Sequence, residues 1–263
     1  MKLGFIGAGN MAKAMMKGII GAGLVPAGEI IAADLFQPAL DKAKAELGVS
    51  VTTDNKVAAA ADTIVLAVKP QFYPTVIHEI APVVKDSTLI VTIAPGQTLD
   101  RLHEQFGRDL KIIRTMPNTP AMVGEGMTAV CASKPVTKEE LDYVCSLFNG
   151  FGRCAVVAEY MMDAVVSVSS SSPAYVFLFI EALADGAVRD GLPRNLAYQF
   201  AAQAVLGSAK MVLETGKHPG ELKDMVCSPA GTTIEAVSVL EAKGFRSSVI
   251  EAMEACTKKA RSL

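Results

Sequence analysis

Gly7-Ala8-Gly9-Asn10-Met11-Ala12 is a GxGxxA pattern set between a short apolar run, Lys2–Ile6, and a helix-like stretch, Met11–Ile20. In a strand–turn–helix setting the first glycine permits a tight turn and the second lets backbone approach a pyrophosphate. A small third residue lets helix and strand pack closely, and the helix N-terminus adds free amides and a positive dipole. Gly7, Ala8, Gly9, Asn10 and Met11 are therefore the expected phosphate-facing residues, although a bare GxGxxA also occurs as a plain turn. About twenty residues further on, where an acid would meet ribose hydroxyls, Asp34 ends the second apolar run. A carboxylate there would repel a 2′-phosphate, and residues 35–41 hold no Arg or Lys, which tilts the choice toward NAD over NADP. The other reading is a helix-initiating acid before Pro38. A second segment, Cys227-Ser228-Pro229-Ala230-Gly231-Thr232-Thr233-Ile234-Glu235, runs small and hydroxyl residues into a helix, with capping-box spacing at Thr232–Glu235. It reads as a helix cap or as a site for a small carboxylate held by amides and hydroxyls without a basic side chain.

The elements that must position these residues fall into two halves. Up to residue 157, apolar runs alternate with helical patterns. The runs are Lys2–Ile6, Glu29–Ala33, Thr63–Val68, Thr88–Ile93, Lys111–Arg114, Met127–Cys131 and Cys154–Val157. They read as buried parallel strands, and the helices Met11–Ile20, Pro38–Leu47, Leu99–Gln105 and Lys138–Phe148 lie between them. The expected fold is α/β, an N-terminal Rossmann-type doubly wound sheet (1–157) followed by an all-helical domain (158–263). Two strand ends, Ala67-Val68-Lys69-Pro70 and Ile93-Ala94-Pro95-Gly96, would line the ligand crevice, though Lys69 also reads as a solvated helix-start residue. Arg114-Thr115-Met116-Pro117-Asn118-Thr119-Pro120 reads as a rigid loop, either the floor of a site or a domain connection. In the second half Ser172-Pro173 reads as an N-cap with proline at the first helical position. Gly191, Gly216 and Gly244 read as helix stops, and Pro193 as a helix opener. Tyr175–Ile180 is apolar on every face, so it needs burial all round, in an intertwined dimer or at the centre of a monomeric bundle.

Composition narrows the classes. The chain is 51% hydrophobic and 20% charged, with 25 Lys+Arg against 27 Asp+Glu for a formal net charge of −2. That describes a globular chain without a basic face, so no nucleic-acid partner is expected. The longest uncharged stretch, 164–180, contains a serine tract and a proline and is a poor membrane span. The N-terminus has no long apolar core of a signal peptide, which points to the cytoplasm. Cys131, Cys145, Cys154, Cys227 and Cys256 form no CxxC, and His78, His103 and His218 are scattered. No disulfide framework and no metal site are expected.

Six stretches, Phe5–Ala12, Leu66–Gln71, Arg114–Pro120, Ser171–Phe177, His218–Val226 and Ser228–Ile234, the last being the most specific, extend along essentially the whole chain. On them the sequence resembles the pyrroline-5-carboxylate reductase family. The resemblance implies hydride transfer from NADPH or NADH to the imine carbon of L-1-pyrroline-5-carboxylate, giving L-proline in the last step of proline biosynthesis. It implies that Ser228, Gly231, Thr232 and Thr233 hold the substrate carboxylate, with Thr233 near the ring nitrogen as the catalytic candidate. It also places Glu159 near the substrate, Asn55 near the adenosine ribose, and Ala67, Val68, Lys69, Pro70 and Ala94 along the cofactor. Family members form homodimers in which the helical half of one subunit completes its neighbour's site, and dimers assemble further into rings, in particular decamers. Two departures stand out: Ser169-Ser170-Ser171-Ser172 where the family reads Ser-Gly-Ser-Gly, and Ala230 where it keeps glycine. Ser170, Ser172 and Ala230 thus add β-carbons where the family's backbone is bare. A β-hydroxyacid dehydrogenase would share the architecture but need a lysine early in the helical half, and none occurs between Lys138 and Lys210. A non-catalytic NAD-sensing protein would not need Gly231-Thr232-Thr233.

Overall fold

The computed structural model describes residues 2–261. An eight-stranded sheet has the order β3-β2-β1-β4-β5-β6-β7-β8. Its strands are β1 Leu3–Ile6, β2 Ile30–Ala33, β3 Ser50–Thr52, β4 Thr63–Leu66, β5 Leu89–Thr92, β6 Lys111–Met116, β7 Gly126–Ala132 and β8 Gly152–Val156. The chain leaves β1 for β2 on one side and returns to β4 on the other, which makes β1/β4 the switch point of a doubly wound sheet. Both faces are covered, so the central strands are apolar at consecutive positions rather than at alternate ones. Leu3, Phe5, Ile30, Ala32, Val65 and Val91 pack with α1 (Asn10–Gly21), α2 (Gln37–Leu47) and α6 (Lys138–Asn149). Ile6, Ile31, Ala33, Ile64, Leu66 and Ile90 pack with α3 (Asn55–Ala59), α4 (Tyr73–Ile80) and α5 (Leu99–Phe106). Each such Ile, Leu or Phe stabilises the fold by roughly 1.5–3 kcal/mol.

Not every sheet expectation holds. β7 runs antiparallel to β6. Only residues 117–125 join the two strands, and a parallel return needs a crossover of about a dozen residues or more. β3 was not expected: Ser50-Val51-Thr52 is too short and too exposed to show a period, yet it pairs in parallel with β2. β8 is only half-buried.

Ser172-Pro173 opens α8 as expected, but it is not the first helical turn of this stretch. The chain is already helical from Glu159–Met161 through α7 (Met162–Val165) and a π turn at Val166–Ser170, and continues into α8 (Ser172–Arg189). Pro173 has no N–H to offer the Ser169 carbonyl four residues earlier, and the Asn118 side chain donates to that carbonyl instead (Nδ2 to O, 3.1 Å). Asn118 Oδ1 in turn accepts from Met127 N at 2.9 Å. By length and composition alone, Glu159–Arg189 is long and apolar enough to cross a membrane.

The chain divides into two compact units. One runs to Ser171 and takes up the chain again from Cys256; the other is Ser172–Ala255. The second unit contains α8, α9 (Arg194–Thr215), α10 (Pro219–Val226), α11 (Thr232–Ala242) and most of α12 (Phe245–Ala260). Gly191, Gly216 and Gly244 all take positive φ at the helix ends where stops were expected, and Pro193 is the N-cap of α9. Few side chains of this unit are buried within one chain: Phe177, Leu178 and Phe200 are 64%, 68% and 67% exposed.

Candidate active site: a dinucleotide crevice and an anion loop

The ends of β1, β2 and β4 are fastened to one another where the glycine loop begins. Gly7 N donates to Ala33 O (2.7 Å), and Ala67 N donates to Ile6 O (2.8 Å). Gly7 has φ +104°, and a β-carbon on it would lie 2.7 Å from the Ala67 carbonyl oxygen. Only glycine fits there. Gly9 is the N-cap of α1, brings no side chain to the α1 amides, and would have no protein atom within 4 Å of an added β-carbon. The first turn of α1 carries no acidic residue. Open space before a helix terminus whose first amides lack intrahelical partners suits a pyrophosphate, so the residues present fit a dinucleotide.

Asp34 closes the loop from the side. Its Oδ2 accepts from Ala8 N at 2.7 Å and its Oδ1 from Phe36 N at 2.9 Å. The Ala8 amide is thus spent on Asp34. Asp34 N donates to Thr52 O, which sets the end of β3 beside it. Asn55, buried at the start of α3, donates from Nδ2 to Glu79 Oε2 at 2.8 Å. Lys69 is exposed and precedes a turn at Pro70–Phe72, Ala67 and Val68 are half-buried, and Ala94 is buried after β5.

Sequence reasoning passed over the hydroxyl network beneath these strand ends. Tyr73 Oη lies 2.8 Å from Leu66 O and 2.6 Å from Thr92 Oγ1, and Thr115 Oγ1 donates to Thr92 O at 2.8 Å. Burial pushes the Tyr73 hydroxyl well above its ordinary range, so it stays a donor. The network spans β4, β5 and β6 just below Ala67 and Ala94. A tyrosine in the otherwise apolar buried face of α4 was the available signal.

Glu159 is tied to two elements through one oxygen. Its Oε1 accepts from Leu99 N, the first residue of α5, at 2.8 Å and from the buried Arg114 guanidinium on β6 at 3.0 Å. Nearby, burial and then the Glu159 carboxylate push the Cys131 thiol up to about 11, so it remains a neutral core group.

In the second unit, Gly231 N donates back to Ser228 O at 3.1 Å. Gly231, not Thr232, is the N-cap of α11, and no side chain caps its amides. The expected capping box is therefore absent here; the box that forms is Thr137 with Glu140 on α6. A β-carbon on Gly231 would lie 2.3 Å from Ser228 Oγ. Ala230 has φ +56°, the one positive φ outside glycine among the described residues. Ser228 and Thr232 are exposed and Thr233 half-buried. Upstream, His218 is the N-cap of α10, its Nδ1 accepting from Gly220 N at 3.0 Å.

Two family models match the chain: NADP oxidoreductase coenzyme F420-dependent over residues 2–96, and pyrroline-5-carboxylate reductase dimerisation over 159–263. The pyrroline-5-carboxylate reductase of Escherichia coli K12 is 54% identical, the match covering 100% of this chain and 98% of that protein. That of Methanosarcina acetivorans is 42% identical, covering 100% and 97%. Among solved structures, the pyrroline-5-carboxylate reductase of Coxiella burnetii superposes with a TM-score of 0.93 at 34% identity, covering 99% and 97%. The Plasmodium falciparum pyrroline carboxylate reductase, solved with NADP bound, gives 0.90 at 34% identity with the same coverage. With a glycine loop built for a dinucleotide, an uncapped helix start behind Ser228–Gly231 and full-length relatives above half identity, this chain belongs to the pyrroline-5-carboxylate reductase family.

Proposed function

We propose that the chain reduces L-1-pyrroline-5-carboxylate to L-proline, the last step of proline biosynthesis, with NADPH or NADH as reductant. The observation that carries this reading is the uncapped start of α11 behind Ser228–Gly231, a carboxylate site made of amides and hydroxyls. Gly7, Gly9, Asn10 and Met11 take the pyrophosphate, and Ala8 supports them through Asp34. Asp34 and Asn55 face the adenosine ribose. Ala67, Val68, Lys69, Pro70 and Ala94 line the path to the nicotinamide. When bound, the dinucleotide supplies the hydride.

The chain itself supplies position. Transfer requires reacting carbons about 3–3.5 Å apart, and holding them there accounts for much of the acceleration. Ser228, Gly231, Thr232 and Thr233 hold the substrate carboxylate. The ring nitrogen gains a proton as the imine becomes an amine, and the Thr233 hydroxyl passes that proton from water. Glu159, already bonded to Leu99 and Arg114, holds the loop after β5 against the substrate.

Residues 1–157 act as the dinucleotide-binding domain and 158–263 as the helical dimerisation and substrate domain. The apolar face of Glu159–Arg189 meets a second copy of the chain rather than lipid, and dimers assemble further, with a decamer as the family precedent. The protein works in the cytoplasm without a nucleic-acid partner. The test is consumption of NADH and of NADPH with DL-pyrroline-5-carboxylate, for wild type and Thr233→Val. Turnover that falls about a hundredfold in the variant, a usual loss for a proton-transfer group, is expected. No turnover with either cofactor, from folded protein that binds nucleotide, would sink the reading.

A further inference from the structure

The end of β2 is built more tightly than binding a dinucleotide requires. Both Asp34 carboxylate oxygens are held by backbone amides, Ala8 at 2.7 Å and Phe36 at 2.9 Å. The charge is fixed at the strand end and cannot swing away from an incoming group. The next strand end adds acids rather than bases: Asp34 N bonds Thr52 O, Asp54 caps α3, and Glu79 holds Asn55. Residues 35–41 carry no Arg or Lys, and Lys42 on α2 pairs with Glu46. Lys56, early in α3, is outnumbered by Asp34, Asp54 and Glu79. Leu35 and Phe36, 84% and 65% exposed, follow the carboxylate directly and leave an apolar surface beside it.

We propose that this rim selects the cofactor with a free 2′-hydroxyl, so that the enzyme is an NADH-preferring reductase, with Leu35 and Phe36 as the apolar bracket for the adenine. The proposal rests on the reading that the glycine loop holds a nicotinamide dinucleotide. Each Asp34 oxygen keeps lone pairs beyond its amide bond and can accept from ribose hydroxyls. A 2′-phosphate would instead bring up to two negative charges against a pinned carboxylate. At about 4 Å, even in watery surroundings, that repulsion is worth a factor of ten or more.

Titration calorimetry with NADH and with NADPH, in the absence of pyrroline-5-carboxylate, tests this apart from activity. Wild type is expected to bind NADH at least about tenfold more tightly than NADPH. Leu35→Arg keeps the Asp34 bonds and sets a cation beside them, so it is expected to shift the NADPH-to-NADH affinity ratio about tenfold toward NADPH, whatever both cofactors lose with the apolar side chain. Asp34→Asn should narrow the gap, and its melting temperature reports any loosening of the glycine loop. Wild type that binds NADPH as tightly as NADH, or a ratio unmoved by Leu35→Arg and Asp34→Asn alike, overturns the proposal. Preferential NADH binding without imine reduction would overturn the reductase reading and leave the selector standing. Reduction that runs equally well on NADPH would do the reverse.

Discussion

Ala230 holds a left-handed conformation that an L-residue with a β-carbon adopts at a cost of about 1–2 kcal/mol. It does so in the loop proposed to hold the substrate carboxylate, one residue before a glycine that the Ser228 hydroxyl keeps bare. Glycine at 230 would relieve that strain but widen the unfolded ensemble, an opposing term of about 0.4–1 kcal/mol. Ala230→Gly should therefore stabilise the protein by about 0.5–1 kcal/mol in denaturant unfolding. It should also lower KM for pyrroline-5-carboxylate more than it alters kcat, because the loop binds rather than reacts. A variant less stable than wild type would mean that the Ala230 methyl has a packing role. At this scale the sequence names candidate residues but not their bonds. Asp34 is picked out by its position at a strand end, Glu159 only by resemblance. That Asp34 bonds the Ala8 and Phe36 amides, and that Glu159 shares one oxygen between Leu99 and Arg114, depends on contacts 26, 60 and 45 residues apart for the longer links. No local spacing encodes those.

Local chemistry served best for elements with strong endings. Gly216 and Gly244 stop helices in the left-handed conformation as expected, and GxGxxA opens α1. It was silent on what precedes a start. Ser172-Pro173 opens α8 as its composition suggests, yet a helical run leads up to it, and another donor serves the carbonyl that the proline abandons. That donor is Asn118, so the loop Arg114–Pro120 fastens the π turn at Val166–Ser170 to β7. A π turn ahead of a proline, at the boundary between two compact units, is a place where a helix can change direction. Asn118→Ala would leave the Ser169 carbonyl and the Met127 amide without these partners, at about 1–3 kcal/mol for each group that stays buried. Hydrogen exchange should then quicken at Val166–Ser171 and Met127 while the central strands keep their protection. Uniform loss of protection over the sheet would show instead that Asn118 supports the whole first unit. Asn118→Asp keeps an acceptor for Met127 and loses the donor to Ser169, so it should quicken only the π turn.

The two units differ in how they can be stable. In the first, both sheet faces are sealed, with Phe5, Ile6, Ile30, Ile64 and Ile90 fully buried. In the second, Ala184, Ala197, Ala201 and Leu222 are the buried hydrophobics among the described residues, while Phe177, Leu178, Phe200 and Leu213 are more than half exposed. Covering each such side chain contributes roughly 1.5–3 kcal/mol, and helices with so little internal burial cannot offset their ordering entropy alone. The all-round apolar pattern at Tyr175–Ile180 revealed this need directly from sequence, whereas the order of association leaves no local mark in it. If a second copy supplies the cover, folding of the helical unit and dimerisation are one equilibrium. The melting temperature of wild type should then rise with protein concentration, because association shifts unfolding by mass action. Phe177→Glu with Phe200→Glu should give a species of half the wild-type mass in sedimentation and abolish imine reduction. Its nucleotide affinity should stay within about twofold, because Gly7, Gly9 and Asp34 all belong to the first unit. A double variant that remains dimeric, or a wild-type melting temperature independent of concentration, would place the cover of these side chains within a single chain. Loss of nucleotide binding together with the dimer would show that the glycine loop also depends on association.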